Sequence, residues 1–171
     1  MEKFSLAIIA FVLTIGCGNQ QINHTEFDKK AAEDILIGHV NLEGLKSAPF
    51  NEWFNAEFEY FQQDDSSLNT INKDNFIDHV KITMVLGNWC GDSKREVPRF
   101  YKILEYLQYD LSNMTVICVN TRKTAKGTNV EQLDIQKVPT FIFYKEGIEL
   151  GRIIETPKLS LEKDMAEIVG Q

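Results

Sequence analysis

The chain has few cysteines, few histidines and fewer basic than acidic residues. Its three cysteines are too few for a framework of disulfide bonds. Its three histidines are scattered, and none lies at a metal-ligand spacing from a cysteine, so we expect no zinc site and no other metal or cofactor. Eighteen lysines and arginines against 25 acidic residues give a net charge of −7, which disfavours nucleic acid as a partner.

The rest of the composition is that of a globular protein. Of the 171 residues, 43% are hydrophobic and 25% are charged, which suits one domain with a short additional segment. Because an acidic surface repels anionic lipid, any membrane contact must come from something other than the net charge.

The hydrophobic run at residues 4–15 is shorter than the roughly 20 residues that a membrane-spanning helix needs. It follows Lys3 and matches the hydrophobic region of a secretory signal peptide. We therefore assign residues 1–16 to a signal peptide.

The sequence Leu13-Thr14-Ile15-Gly16-Cys17 resembles a bacterial lipobox, in which an apolar stretch and a small residue precede a cysteine. Thr14 departs from the pattern, since leucine is usual at that position. The resemblance implies a lipid on the Cys17 thiol and a polar tether over residues 17–28. It also implies a protein of the cell envelope, lipid-anchored to a membrane and facing the periplasm. A plain secretory signal is the alternative.

The segment after the tether, residues 29–79, is interpreted as an N-terminal helical extension. Residues 29–37 have helical composition, and residues 38–42 fit a short strand or a turn. From Pro49 onward, aromatic residues recur every three to four positions, which predicts an amphipathic helix. These aromatic residues are Phe50, Phe54, Phe58 and Phe61, with Trp53 alongside. Such a face usually packs on a core; a peptide-binding platform is the alternative.

The second half of the chain alternates between strand and helix patterns. We predict strands at residues 82–86, 115–120, 140–144 and 148–154, and helices after residue 93, at 130–135 and at 159–169, the last capped by Ser160. The first two strands are joined by a helix and are therefore parallel, whereas the last two form a hairpin. The pattern predicts an α/β domain with a mixed sheet and helices on both faces.

Two motifs give this domain a specific resemblance. Trp89-Cys90-Gly91-Asp92-Ser93-Lys94 resembles the active-site turn Trp-Cys-Gly-x-Cys-Lys of the thioredoxin family, and Pro98 matches a proline in the following helix. Val138-Pro139-Thr140 resembles the cis-proline loop of that family. The resemblance covers residues 80–171 and implies a thioredoxin fold, within a bacterial subgroup that carries the Trp-Cys-Gly-Asp-Ser motif.

The chemistry of the first motif has a simple physical basis. A thiolate is the reactive form of cysteine, and a helix N-terminus stabilises negative charge. Lys94 and Arg95 add positive charge near Cys90, whereas Asp92 opposes it. The resemblance implies that Cys90 is the nucleophile, that Ser93 donates a hydrogen bond to its thiolate, and that Pro139 shapes the site. It also implies a substrate groove formed by Trp89, Gly91, Asp92, Val138 and Thr140.

Three departures separate the chain from a dithiol thioredoxin. Ser93 replaces the second cysteine, so the motif alone cannot resolve a mixed disulfide. Met84 and Cys118 stand where the resemblance implies a buried acid and its lysine partner, so both members of a costly charged pair are absent together. Cys118 is either a displaced resolving cysteine or a small buried residue, and we expect the latter.

These residues support three functional hypotheses. The first is a monothiol oxidoreductase or isomerase that exchanges thiols and disulfides with envelope proteins or small thiols through Cys90. The second is a non-catalytic thioredoxin-fold module that docks an envelope partner. The third is a thiol peroxidase, which the residues around Cys90 favour least.

Overall fold

A computed structural model describes residues 22–170. These residues include six strands, namely β1 (His24–Asp28), β2 (Glu33–Val40), β3 (Val80–Leu86), β4 (Met114–Cys118), β5 (Thr140–Lys145) and β6 (Ile148–Ile154). The strands form one sheet in the order β1-β2-β4-β3-β5-β6. Strands β3 and β4 are parallel, and every other neighbouring pair is antiparallel. The predicted mixed sheet, with its parallel pair and final hairpin, is confirmed.

In the part of the chain that the structure describes, six α-helices accompany the sheet. They are α1 (Leu42–Leu45), α2 (Asn51–Tyr60), α3 (Asp65–Leu68), α4 (Lys73–His79), α5 (Gly91–Leu107) and α6 (Leu161–Val169). Short 3₁₀ turns occupy Leu111–Asn113 and Val130–Leu133, the second within the predicted helix at 130–135. Ser160 caps α6 as predicted, since its hydroxyl accepts a hydrogen bond from the Lys163 N–H, a contact worth about 1 kcal/mol.

The sheet separates two apolar clusters. All six helices contribute to the larger one, in which Phe54 and Phe100 are fully buried. The smaller cluster lies on the other face, where Ile35, Ile117 and Val85 pack against apolar side chains from residues 119–138. The segment that covers this face contains a 3₁₀ turn but no α-helix. The prediction of helices on both faces is therefore confirmed only for the face of the larger cluster.

The predicted helix at residues 29–37 is wrong. The chain turns after Asp28 and then forms strand β2. Ile35, Leu36 and Ile37 alternate between the two clusters, so this strand buries apolar side chains on both faces of the sheet. That burial outweighs the modest helix propensity of the preceding alanine, glutamate and lysine residues.

The N-terminal segment is part of the same core as the rest of the chain. Strand β2 pairs with β4, and β1 pairs with β2. Residues 24–28, which we assigned to the tether, are therefore a strand of the sheet. Helix α2, predicted from its aromatic spacing, packs on α5. Lys102 of α5 fixes the end of α2 by donating to the carbonyl oxygens of Phe58 and Phe61. Residues 24–79 are therefore integral to the fold.

The predicted signal peptide and the predicted lipid attachment at Cys17 lie outside the described residues. Within residues 22–170, no helix combines the length and the apolar character that crossing a membrane requires.

Asp28 ties the β1–β2 turn to the segment that follows β4. Its carboxylate accepts hydrogen bonds from the backbone N–H groups of Thr121, Ala31 and Lys30 and from the Thr121 hydroxyl. These donors, the Thr121 N–H above all, lower the pKa of Asp28 from 3.8 to about 2. A group with a lowered pKa stabilises the folded state above its unfolded pKa, and this contribution disappears as the pH falls through the folded value.

We predict that Asp28→Asn lowers the melting temperature at pH 7, and that its difference from the parent protein shrinks between about pH 4 and pH 2. Thermal unfolding followed by circular dichroism over this range measures the difference. Asp34→Asn, at an exposed position on β2, is the control and should change little. A difference between Asp28→Asn and the parent that does not vary with pH would contradict the assignment.

Candidate active site around Cys90

Cys90 lies at the N-terminus of α5, the longest helix within residues 22–170. It is the N-cap residue of α5, with extended backbone angles (φ −92°, ψ 127°), and its side chain makes no capping hydrogen bond. Its N–H donates to the Gly87 carbonyl at 2.8 Å, and its own carbonyl accepts from the Lys94 N–H at 3.0 Å. The half-buried thiol is therefore held at the end of a helix where the backbone dipoles favour negative charge, by about 0.3–1 kcal/mol at an exposed site.

The cis-proline loop meets this thiol. The Val138–Pro139 peptide bond is cis, as the resemblance implies. The Cys90 thiol donates to the Val138 carbonyl at 3.3 Å. Thr140 fixes the loop from the other side, because its hydroxyl donates to the Lys137 carbonyl at 2.7 Å. The two motifs thus converge on one site, while the roles assigned to these residues stay predictions.

Ser93 has a different partner from the one expected. It is fully buried, and its hydroxyl oxygen accepts from the Gly87 N–H at 3.3 Å. In the described part of the chain, no hydrogen bond joins Ser93 to Cys90, which corrects the expected contact with the thiolate. Ser93 instead connects the first turn of α5 to the end of β3.

Two other residues of the loop position the motif. Trp89 donates its indole N–H to the Val119 carbonyl at 2.8 Å, and a side chain at Gly87 would collide with the Trp89 ring at 2.5 Å. The buried Asn88 accepts from the Leu36 N–H at 2.9 Å and so joins the loop to β2. Sequence reasoning missed Asn88; its signal was a polar residue between a buried strand and the motif.

The charges beside Cys90 largely neutralise one another. Arg95 donates hydrogen bonds to Asp92 and to the buried Glu96, each at 2.7 Å. These bonds, led by the one to Glu96, raise the pKa of Arg95. Lys94 lies 3.9 Å from Glu33 on β2. Lys94 and Arg95, the two cations that the sequence placed near the thiol, are therefore each paired with a carboxylate. The partial positive charge at the N-terminus of α5 has no such partner at Cys90. Glu96 was not anticipated, and no sequence signal marked it.

Cys118 belongs to the opposite side of the sheet. It is fully buried in the larger cluster, as is Met84, whereas Cys90 packs against the smaller cluster. Burial raises the pKa of the Cys118 thiol strongly, which disfavours its reactive thiolate. Both cysteines are free. This placement agrees with the expected role of Cys118 as a small core residue. No group of His, Cys, Asp and Glu side chains within residues 22–170 is arranged to hold a metal ion.

We predict that iodoacetamide modifies Cys90 in the native protein and reaches Cys118 only after unfolding. The physical reason is the complete burial of Cys118 and its suppressed thiolate. Peptide mapping by mass spectrometry, with and without guanidinium chloride, separates the two sites. The prediction fails if both cysteines are modified at equal rates in the native state.

Comparison with known proteins places this site in a family. The thioredoxin family profile matches residues 67–167, more than half of the chain. The thioredoxins of Chlamydia trachomatis and Chlamydia muridarum are 28% and 30% identical to it over 88 residues. Each of these alignments covers 49% of this chain and 80% of the relative.

A solved structure shows the same fold. A protein of unknown function from Pseudomonas aeruginosa superposes with a TM-score of 0.51 at 12% identity, covering 72% of this chain and 84% of that protein. The fold, the matched profile and the convergence of the two motifs agree, and the chain belongs to the thioredoxin family.

Proposed function

We propose that this chain is a membrane-anchored monothiol protein that performs thiol-disulfide exchange through Cys90. The observation that carries the proposal is the position of the Cys90 thiol, half-buried at the N-terminus of α5 and in contact with the Val138 carbonyl. Its substrates are disulfide- or thiol-containing proteins of the cell envelope, or small thiols.

The proposed exchange begins when the Cys90 thiol gives its proton to solvent. The thiolate attacks one sulfur of a substrate disulfide, so that a bond to Cys90 forms while the substrate S–S bond breaks. The departing sulfur leaves as a thiolate and takes up a proton. One disulfide has replaced another, and no oxidant or reductant is consumed. The thiolate of another molecule then attacks the substrate sulfur of the mixed disulfide. A disulfide forms between that molecule and the substrate, the bond to Cys90 breaks, and Cys90 leaves as a thiolate.

The neighbourhood of Cys90 supports a single-thiol mechanism. Ser93 occupies the second motif position, and its hydroxyl accepts a hydrogen bond from Gly87. Cys118 packs on the other face of the sheet. Since neither residue can resolve a mixed disulfide in the folded protein, the adduct at Cys90 should persist until an external thiol arrives.

A docking module is the second candidate function. A depression of about 550 Å³ lies beside the active-site turn, lined by Trp53 and Tyr60 of α2 and by Gly91 and Lys94 of α5. Tyr60 is 80% exposed, which is unusual for so large an aromatic side chain and favours a partner contact. In this alternative a Cys90→Ala variant keeps its function in cells, whereas in the exchange mechanism it loses it.

The lifetime of a mixed disulfide tests the exchange mechanism. We predict that oxidised glutathione forms an adduct at Cys90 that persists after excess reagent is removed. In Ser93→Cys the new thiol should displace glutathione and close an intramolecular disulfide, so the adduct should disappear much faster. Intact-mass spectrometry over time measures both lifetimes.

Two further variants act as controls for this experiment. Cys90→Ser should form no adduct, and Cys118→Ala should retain the long lifetime, because Cys118 does not take part. An adduct that decays as quickly in the parent protein as in Ser93→Cys, or one that lasts longer in Cys118→Ala, contradicts the mechanism.

The proposal of a membrane anchor is based on the sequence of residues 4–17. Chemical analysis of the mature N-terminus can test it. We predict that the mature protein begins at Cys17 and carries a diacylglyceryl group, which sends it into the detergent phase of a Triton X-114 extraction. Cys17→Ser should remain unlipidated. Mass spectrometry of the N-terminal peptide decides the question, and a mature N-terminus at another residue with no lipid argues for a plain secretory signal.

A further inference from the structure

A second cavity lies on the face of the sheet that carries Cys90 but includes none of the active-site residues. Its volume is about 640 Å³, within the range of small-molecule sites. It opens between the β1–β2 hairpin and the segment 120–128. Strand pairing explains its floor: His24 lies opposite Ile37, and His39 follows two positions later on the same face of β2.

The cavity collects basic side chains in an otherwise acidic protein. His24 and His39 come from the hairpin, Arg122 and Lys126 come from the opposing segment, and Glu26 is the one acid that lines it. The net charge of the whole chain is −7, so this local excess is distinct from the rest of the surface.

Arg122 also differs from the other arginines. Arg95, Arg99 and Arg152 each pair with a carboxylate. Across residues 22–170, neither Arg122 nor Lys126 forms a salt bridge. Two cations at one cavity are thus available to a ligand from solution.

The segment that carries these cations is held in place. The Asn120 side chain accepts hydrogen bonds from the N–H groups of Arg122 and Thr124 and from the Thr124 hydroxyl. Thr121 is fixed by Asp28 on the hairpin. The two walls of the cavity are therefore connected, so less ordering is required when a ligand binds.

We propose that this cavity binds the phosphate group of a small anionic ligand. The Arg122 guanidinium offers paired N–H donors that match phosphate oxygens, Lys126 adds a second charge, and the two histidines supply further ring nitrogens. The phosphate belongs either to a free metabolite or to a lipid headgroup. The second source is within reach if Cys17 is lipidated, because only residues 18–23 separate it from His24, and an extended chain spans at most ~3.5 Å per residue.

Calorimetry of the full chain in non-ionic detergent tests the site, with inorganic phosphate as the probe and ionic strength held constant with chloride. We expect saturable binding that Arg122→Gln/Lys126→Gln weakens at least tenfold. The matched control is Lys158→Gln/Lys163→Gln, which removes the same charge from exposed positions around the start of α6 and should bind as the parent does.

A second titration distinguishes the two sources of phosphate. Micelles doped with dioleoyl phosphatidate should compete with inorganic phosphate in the parent protein if the ligand is a lipid headgroup. Absence of competition assigns the site to a free phosphate compound. No binding of inorganic phosphate by the parent, or an equal loss in both double variants, overturns the proposal. Because no step involves Cys90, this outcome is independent of the exchange mechanism.

Discussion

The hydrogen bond between the Cys90 thiol and the Val138 carbonyl joins two segments that are 48 residues apart in the sequence. Strand β3 leads through a short turn to Cys90 at the start of α5. Strand β5, the antiparallel neighbour of β3, begins directly after the cis-proline loop, so the loop lies beside Cys90. The active site is therefore a product of strand order. Any change that shifted the register of β3 against β5 would separate the thiol from the loop, even with every site residue intact.

The surrounding structure keeps this contact rigid from several sides. In the turn between β3 and α5, Asn88 is hydrogen-bonded to β2 and Trp89 to the residue that follows β4. Ser93 connects helix α5 to Gly87. The serine at the second motif position thus has a structural contact of its own. A buried hydroxyl that is hydrogen-bonded in this way costs little, whereas an unsatisfied one would cost about 1–3 kcal/mol. The domain preserves the thioredoxin geometry around one thiol.

Sequence reasoning predicted the second half of the fold well because its signals are local. Strand β3 is a short apolar run, and α5 has an apolar stripe along one face. The Trp89–Lys94 motif directly follows β3, and the Val138-Pro139-Thr140 motif leads into β5. It failed at residues 29–37, where the composition favours a helix but pairing with β4 and burial on both faces produce a strand. Such long-range pairing leaves no local mark. The same limit applies to Lys94, whose partner Glu33 lies on β2 and is distant from it in the sequence.

We propose that the fold makes Cys90 a reactive nucleophile. The most direct test of this proposal is the second-order rate of Cys90 alkylation by iodoacetamide at pH 7, measured in the Cys118→Ala background for the folded protein and again in guanidinium chloride. The dipole of the α5 N-terminus favours negative charge at the position of Cys90, so we expect a faster reaction in the folded state. A folded-state rate equal to or below the unfolded rate would contradict the claim and leave the docking module as the better account.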